Sequence, residues 1–152
     1  MKNLFNSSIS EIEITYRNTV PRNQMRTVTS SRDAVDAFRD IWSNQMEHVE
    51  QFYILMINRA NKVLGYTLIA TGGVSATVVD PKIIFQAALK ANASQIICAH
   101  NHPSGNNKPS EADVRITDKI KAAGQFLDIN LLDHVIMTPD DNFYSFADEG
   151  RI

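Results

Sequence analysis

A short apolar run near the middle of the chain leads directly into two histidines. Residues 95–99 are followed without a break by His-Asn-His-Pro-Ser-Gly, residues 100–105. Apolar residues at successive rather than alternating positions are typical of a strand that is covered on both faces. The run therefore predicts a central strand with other elements packed on each side of its sheet, ending in a polar turn.

Apolar residues at helical spacing predict three helices, at residues 30–46, 81–91 and 110–125. Ser30 and Asp33 form a candidate capping box for the first helix. Asp80 is a candidate N-cap for the second, with Pro81 at the first helical position. In that second helix we expect the inward side chains to be Ile83, Ile84, Ala87 and Ala88.

Runs of β-branched and aromatic residues predict two hairpins, one of residues 49–57 and 62–70 and the other of residues 131–137 and 143–146. Near the N-terminus, Ile12 and Ile14 alternate with polar residues, which predicts one further strand. Helices that alternate with strands and adjacent hairpins indicate a mixed sheet with helices packed on it. We therefore predict a three-layer α/β/α domain with a mixed central sheet.

Composition excludes several classes of protein. The chain has 152 residues, of which 43% are hydrophobic and 21% charged, as expected for one globular domain. Its longest apolar run, residues 52–57, is far shorter than the roughly 20 residues that span a bilayer. No secretory signal pattern is visible at the N-terminus, and the single cysteine, Cys98, forms no internal disulfide. These features predict a cytoplasmic protein with no membrane partner.

Charge is divided unevenly between an N-terminal arm and the rest of the chain. We assign residues 1–29 to an N-terminal strand and basic polar arm, and residues 30–152 to the folded domain. The formal net charge is −2, but residues 1–32 alone carry +3. A solvated arm explains this excess, and nucleic-acid contact through Arg17, Arg22 and Arg26 is the alternative. The overall charge does not support a nucleic-acid partner.

Three residues of metal-binding type follow the predicted central strand. In extended backbone the side chains of His100 and His102 point to the same side, so their imidazoles can converge on one point. Ser110 would begin the next helix and place Asp113 in its first turn. Two histidines and one carboxylate are typical ligands of an open catalytic Zn²⁺ site. A capping box alone would also explain Ser110 and Asp113, but it gives the two histidines no role.

Metal-assisted hydrolysis also needs a group that accepts and returns a proton, and Glu50 is our candidate. It leads a strand whose same-face residues are apolar, where an unpartnered charge would be costly. Glu47 competes for this role but falls at the end of a helical pattern. Cys98, two residues before His100, is a candidate fourth ligand, although such a cysteine more simply packs as a small apolar side chain. His134 is interpreted as a hydrogen-bonded core histidine.

The spacing of these residues resembles the JAMM (MPN-plus) metal-binding motif. That motif is His-x-His, seven residues, Ser, two residues and Asp, with a Glu upstream. The sequence around it, HNHPSG at residues 100–105 and PSEAD at residues 109–113, resembles the RadC branch of that superfamily. The similarity extends from about residue 30 to residue 152. The chain thus resembles a RadC-like JAB domain protein.

The resemblance implies a cytidine-deaminase-like α/β/α fold and a zinc-dependent metallopeptidase acting on a peptide or protein substrate. By residue-wise match, His100, His102 and Asp113 would bind Zn²⁺, Glu50 would be the acid/base group, and Ser110 would stabilise a tetrahedral oxyanion. Full-length RadC proteins have a helix-hairpin-helix region before this domain, and this sequence does not show one. A DNA repair-associated or nucleic-acid-binding module of RadC type, or a metal-binding scaffold without catalysis, is the alternative function.

Overall fold

The computed structural model describes residues 8–73 and 78–152. Within these residues the fold is mixed α/β, with three α-helices and one five-stranded sheet. Its elements are α1 (Ser31–Ile41), β1 (Gln51–Ile57), β2 (Val63–Thr71), α2 (Pro81–Lys90), β3 (Gln95–Asn101), α3 (Glu111–Phe126), β4 (Asn130–Met137) and β5 (Phe143–Ser145). The strand order is β2-β1-β3-β4-β5, and β3 and β4 are parallel while the other neighbours are antiparallel. Both predicted hairpins and the mixed sheet are confirmed.

Side chains of β1 alternate between two apolar cores. Phe52 and Ile54 pack into a cluster that includes residues of α2 and α3, whereas Tyr53 and Leu55 pack into a cluster built on α1. Every residue of β1 is buried, which explains why its sequence is continuously apolar from Phe52 to Ile57 rather than alternating. Helices therefore cover both faces of the sheet around its central strands.

Helix α1 begins where the sequence predicts, but only half of the predicted capping box of Ser30 and Asp33 forms, and the end of the helix differs from the prediction. Ser30 Oγ accepts a hydrogen bond from Asp33 N at 3.1 Å, while the Asp33 carboxylate accepts from Thr29 N rather than from Ser30 N. The predicted helix extends to residue 46, whereas α1 ends at Ile41 and Trp42 has extended backbone. The indole of Trp42 packs on the Tyr53 ring, with centroids 4.4 Å apart. This contact with the sheet explains why an apolar residue recurs at helical spacing beyond the helix.

Helix α2 begins as predicted, with the Asp80 carboxylate accepting a hydrogen bond from Lys82 N at 2.9 Å and Pro81 in the first turn. The prediction that Ile83 faces inward is wrong, because its side chain is 44% exposed. Ile84 and Phe85 are the buried members of that turn. The stripe of α2 that faces the sheet is thus rotated by about one residue from the predicted one.

The predicted N-terminal strand is not formed in the described part of the arm. Ile12 and Ile14 are 79% and 75% exposed and lie in no strand. The arm instead joins the domain at its end, where Val28 is buried in the core and its N–H donates to the carbonyl oxygen of Asn61 at 2.9 Å, and through Tyr16, whose hydroxyl donates to the carbonyl oxygen of Leu64 at 3.0 Å. An alternating pattern predicts a strand only where a partner supplies the ladder of backbone hydrogen bonds, and this segment has no such ladder. Residues 1–7 of the predicted arm lie outside the described residues.

Among the helices in the described ranges, none is long and apolar enough to cross a membrane.

Candidate metal centre

Sheet topology brings three distant parts of the chain to one edge. Strands β3 and β4 are parallel and joined through α3, so the end of β3 and the start of α3 lie close together. Strand β1 runs antiparallel to β3, with Phe52 opposite His100. Glu50, immediately before β1, therefore lies beside the histidines that end β3.

The two predicted histidine ligands converge. His100 is the last but one residue of β3 and is buried, and His102 follows the strand and is partly buried. Their Nε2 atoms lie 3.1 Å apart. The ring of His100 is parallel to that of Phe52, at 6.1 Å between centroids. The two-residue spacing of His100 and His102 therefore brings their imidazoles together, as the sequence predicts.

Asp113 faces both imidazoles and also caps α3. Its Oδ1 is 3.2 Å from His100 Nε2, and its Oδ2 is 3.3 Å from His102 Nε2. Asp113 Oδ2 also accepts a hydrogen bond from Ser110 N at 2.8 Å, and Ser110 Oγ accepts one from Asp113 N at 3.1 Å. The capping box and the approach to the histidines therefore coexist. Because the box is reciprocal, it fixes the direction of the carboxylate toward the imidazoles.

Glu50 is the second carboxylate at the site. Its Oε1 lies 3.8 Å from His102 Nε2 and 4.0 Å from His100 Nε2. The structure gives the Glu50 carboxylate no donor at hydrogen-bond distance among the residues it describes. Glu50, His100 and His102 could together hold a metal ion, since one ligand atom from each lies within 4.8 Å of the others. Glu47, the competing candidate, is exposed and does not line the site.

Burial and neighbouring charges shift the pKa values of the groups at this site in different directions. Burial raises the pKa of Glu50, against the opposing effect of the two imidazoles. Burial acts the same way on Asp113, but His100 and His102 beside it hold its pKa far below the ordinary value. Burial disfavours charge on His102, yet the Asp113 carboxylate, the Asn106 carbonyl and the Glu50 carboxylate raise its pKa. The two carboxylates thus stabilise positive charge between them.

The donor set fits a zinc ion. His102 Nδ1 donates a hydrogen bond to the carbonyl oxygen of Asn106 at 2.6 Å, so the lone pair of its neutral ring lies on Nε2. His100 uses its Nδ1 for a contact with buried His134. Both Nε2 atoms therefore face the carboxylates, and nitrogen and carboxylate ligands of this kind suit Zn²⁺. The geometry does not distinguish zinc from other divalent transition metals.

A cavity of about 780 Å³ opens over these groups. Its polar lining includes the four residues above and Ser110, and its apolar lining includes Phe52, Val79 and Ile116. The Oγ of Ser110 accepts the capping hydrogen bond, so its hydroxyl proton stays available for a donor role. A ligand that enters the cavity thus meets two carboxylates, two imidazoles and a hydroxyl group.

Asn101, between the two histidines, was not predicted as a site residue. Its side chain is buried: Oδ1 accepts from Gln51 N at 2.7 Å, and Nδ2 donates to the carbonyl oxygens of Met46 and Val49 at 2.8 and 2.9 Å. These bonds attach the segment that carries Glu50 to the strand that carries the histidines. No local pattern in the sequence indicates these bonds, because all three partners lie about 50 residues away.

Cys98 and His134 behave as interpreted from the sequence. Cys98 is fully buried in the core cluster below α2 and α3, where burial raises the pKa of its thiol. It does not line the cavity, so it is not placed as a fourth ligand. His134 is fully buried and hydrogen-bonded to His100 and Thr117. Burial also lowers its pKa well below the ordinary value, with His100 contributing.

The fold and the candidate site define a mixed α/β domain with two histidines and two carboxylates at a strand end. Residues 28–151 match the family model of the RadC-like JAB domain, and the chain belongs to this family.

Several proteins named UPF0758 are similar to the chain. One from Flavobacterium johnsoniae is 42% identical over 127 residues, which cover 84% of this chain and 54% of that protein. One from Chlorobium chlorochromatii is 35% identical over 144 residues, covering 95% and 64%. A third, from Porphyromonas gingivalis, is 36% identical over 134 residues, covering 88% and 59%. The chain thus spans between about half and two thirds of the length of these relatives.

Proposed function

We propose that the protein is a zinc-dependent metallohydrolase that hydrolyses a peptide, isopeptide or related amide bond. One observation carries the proposal: the Nε2 atoms of His100 and His102 converge with two carboxylates at the floor of an open cavity. Membership in the RadC-like JAB domain family supports the same class of chemistry. Helices on both faces of the sheet are also consistent with the cytidine-deaminase-like architecture that the sequence resemblance implies.

His100, His102 and Asp113 would hold the ion. Asp113 is preferred to Glu50 as the third ligand because its oxygens lie 3.2 and 3.3 Å from the two Nε2 atoms, against 4.0 and 3.8 Å for Glu50. The capping box also fixes its direction. A zinc ion held there supplies Lewis acidity that polarises a carbonyl group and makes water more acidic at neutral pH.

Glu50 would move the proton. It is buried and its pKa is raised, so its carboxylate is a stronger base than an exposed one. Its oxygen would accept a proton from the attacking water and deliver it to the leaving nitrogen of the amide. Asn101 would keep Glu50 in place for this transfer through its bonds to Val49 and Gln51.

Ser110 would stabilise the developing oxyanion. Its oxygen already accepts the helix-capping hydrogen bond, which leaves the hydroxyl proton free to donate to the substrate oxygen. The apolar wall of the cavity, including Val79 and Ile116, would contact the chain on either side of the cleaved bond. The peptide or protein substrate is proposed from the resemblance to JAMM enzymes, and a cavity of about 780 Å³ has room for a short part of such a chain.

Metal content of the purified protein tests the proposal. We expect one zinc ion per chain in the wild type and none in the double variant His100→Ala/His102→Ala. Cys98→Ala is the matched control, since it removes a nearby ligand type from the core and should leave the zinc in place. A wild type that stays metal-free after incubation with zinc would contradict the metallohydrolase proposal.

The nucleic-acid alternative has less support from the described contacts. Arg26 is paired with Asp40, and Arg32 lies 3.3 Å from Asp36 and 3.1 Å from Asp141. These pairs neutralise part of the positive charge on which that alternative depends. Steeply salt-dependent DNA binding that Arg17→Ala and Arg22→Ala reduce would favour it.

A further inference from the structure

A chain of buried hydrogen bonds lies behind the candidate metal centre. His100 Nδ1 is 2.8 Å from His134 Nε2, and His134 Nδ1 is 2.6 Å from Thr117 Oγ1. The Thr117 hydroxyl is in turn 2.7 Å from the backbone carbonyl oxygen of Asp113. His134 and Thr117 are buried and do not line the cavity. The groups in this hydrogen-bond chain therefore have fixed partners, which water does not replace.

The position of every proton in this chain follows from its last member. A carbonyl oxygen only accepts, so the Thr117 hydroxyl donates its single proton to Asp113. Thr117 Oγ1 can then only accept from His134, which places the proton of neutral His134 on Nδ1. His134 Nε2 is left with a lone pair, and His100 must donate to it from Nδ1. The Nε2 of His100, which faces the cavity, is thereby left without a proton.

We propose that His134 is a positioning residue that fixes the tautomer of His100, with Thr117 setting the direction of the hydrogen-bond chain. The inference rests on the proposed function, in which His100 Nε2 is a zinc ligand. His134 touches neither the cavity nor the carboxylates and acts only through the ring of His100. The identity of the nitrogen that binds a metal is commonly set by the hydrogen bond of the other ring nitrogen.

Substitution of Thr117 tests the direction of the hydrogen bonds in this chain. Thr117→Val has nearly the same shape but cannot accept a hydrogen bond from His134. His134 should then carry its proton on Nε2 and donate a hydrogen bond to His100 Nδ1, and His100 should carry its own proton on Nε2. We expect zinc affinity to fall roughly 10- to 100-fold, as is typical when an outer partner of a ligand is lost. Thr117→Ser keeps the hydroxyl and should bind zinc like the wild type.

Substitutions of His134 test the acceptor. His134→Phe removes the partner of His100 Nδ1 and should weaken zinc binding by a similar factor. His134→Gln places an amide oxygen, which only accepts, within reach of His100 Nδ1 and should restore most of the affinity. Competition with a chromogenic chelator measures these affinities. If His134→Phe does not fold, the Thr117→Val and Thr117→Ser pair decides the question alone.

The second readout does not depend on metal or turnover. Nitrogen-15 NMR of the imidazole rings, at a pH where they are neutral, shows which ring nitrogen carries the proton. We expect the proton on His100 Nδ1 in metal-free wild type and Thr117→Ser, and on Nε2 in Thr117→Val. An unchanged tautomer in Thr117→Val, or a changed tautomer with wild-type zinc affinity, would overturn the inference. A wild type with the expected tautomer but no zinc would instead refute the proposed function.

Discussion

Two buried carboxylates, those of Asp133 and Glu50, differ in their hydrogen bonds. Asp133 Oδ1 accepts from His134 N and Ala147 N at 2.7 and 3.0 Å, and its Oδ2 accepts from Ser145 Oγ at 2.6 Å. Glu50 has two imidazole nitrogens at 3.8 and 4.0 Å and no closer donor in the described ranges. Both carboxylates are buried, but only Asp133 is satisfied by the protein itself.

The difference separates a structural carboxylate from a chemical one. Asp133 uses three acceptor positions to attach β5 and the segment after it to β4, so both of its oxygens are engaged by the protein. Glu50, and Asp113 on the side facing the imidazoles, keep oxygens directed at ring nitrogens across a cavity. Burial alone therefore does not identify a functional acid, since unsatisfied acceptors are what a ligand or a proton transfer requires.

Glu50→Gln should have the largest effect on activity. The amide keeps the shape but cannot accept a proton, so turnover should fall by about 10²- to 10⁴-fold while zinc stays bound. Peptide hydrolysis assays and zinc analysis on the same sample measure the two properties. Loss of zinc in this variant would make Glu50 a ligand and Asp113 the remaining candidate for proton transfer.

Asp113→Asn should affect metal binding more than turnover chemistry. Replacing an anionic ligand with a neutral amide should lower zinc affinity by more than about 100-fold, beyond the usual cost of losing an outer partner. The amide oxygen can still accept from Ser110 N, so the cap of α3 should persist. Chelator competition measures the affinity, and circular dichroism checks the helix. Wild-type affinity would remove Asp113 from the ligand set.

Asp133→Asn should reverse this pattern. Asparagine has one acceptor oxygen in place of two, so the three hydrogen bonds of Asp133 cannot all be kept, and the free energy of unfolding should fall by about 2–3 kcal/mol. Zinc affinity and turnover, measured well below the unfolding midpoint, should remain at wild-type values. Urea denaturation gives the stability. A stable variant with impaired zinc binding would end the distinction between the two acidic sites.

The pH dependence of stability should carry the signature of Asp133. Burial raises its pKa in the folded state, although Ser145, Ala147 and His134 oppose the shift. The folded protein then binds a proton more tightly than the unfolded chain, so this group stabilises the fold in acid, and the contribution is lost as pH rises through the folded pKa. The stability difference between wild type and Asp133→Asn should therefore grow as pH falls from neutral toward 3.8, the ordinary value. Urea titrations of both metal-free proteins at several pH values test the sign.

Local features of the site were predictable from the sequence, whereas its long-range contacts were not. The spacing of His100 and His102 and the box of Ser110 and Asp113 follow from the geometry of one strand and one helix turn. The roles of Asn101 and Thr117 are not predictable from the sequence, because Gln51 and His134 come near them only in the folded sheet. No periodicity in the sequence encodes such hydrogen bonds.

The same limit explains the errors in the predicted fold. The strand at Ile12 and Ile14 needs a neighbouring strand, and local alternation does not supply one. The helical spacing that extends α1 beyond Ile41 is interrupted because Trp42 packs on Tyr53, a contact between separate elements. Strands and helices with strong local patterns, including both hairpins, were predicted correctly, whereas the end of α1 and the N-terminal segment depended on contacts that local patterns do not encode.

The antiparallel pairing of β1 with β3 also has a consequence for the time course of folding. Glu50 meets His100 only after the hairpin and α2 between them have been enclosed in a loop of about 50 residues, and closing such loops slows folding. An unfolded chain offers a metal ion the pair His100 and His102 but neither carboxylate in position. A nascent chain would therefore hold the ion weakly, and tight capture would mark the end of folding.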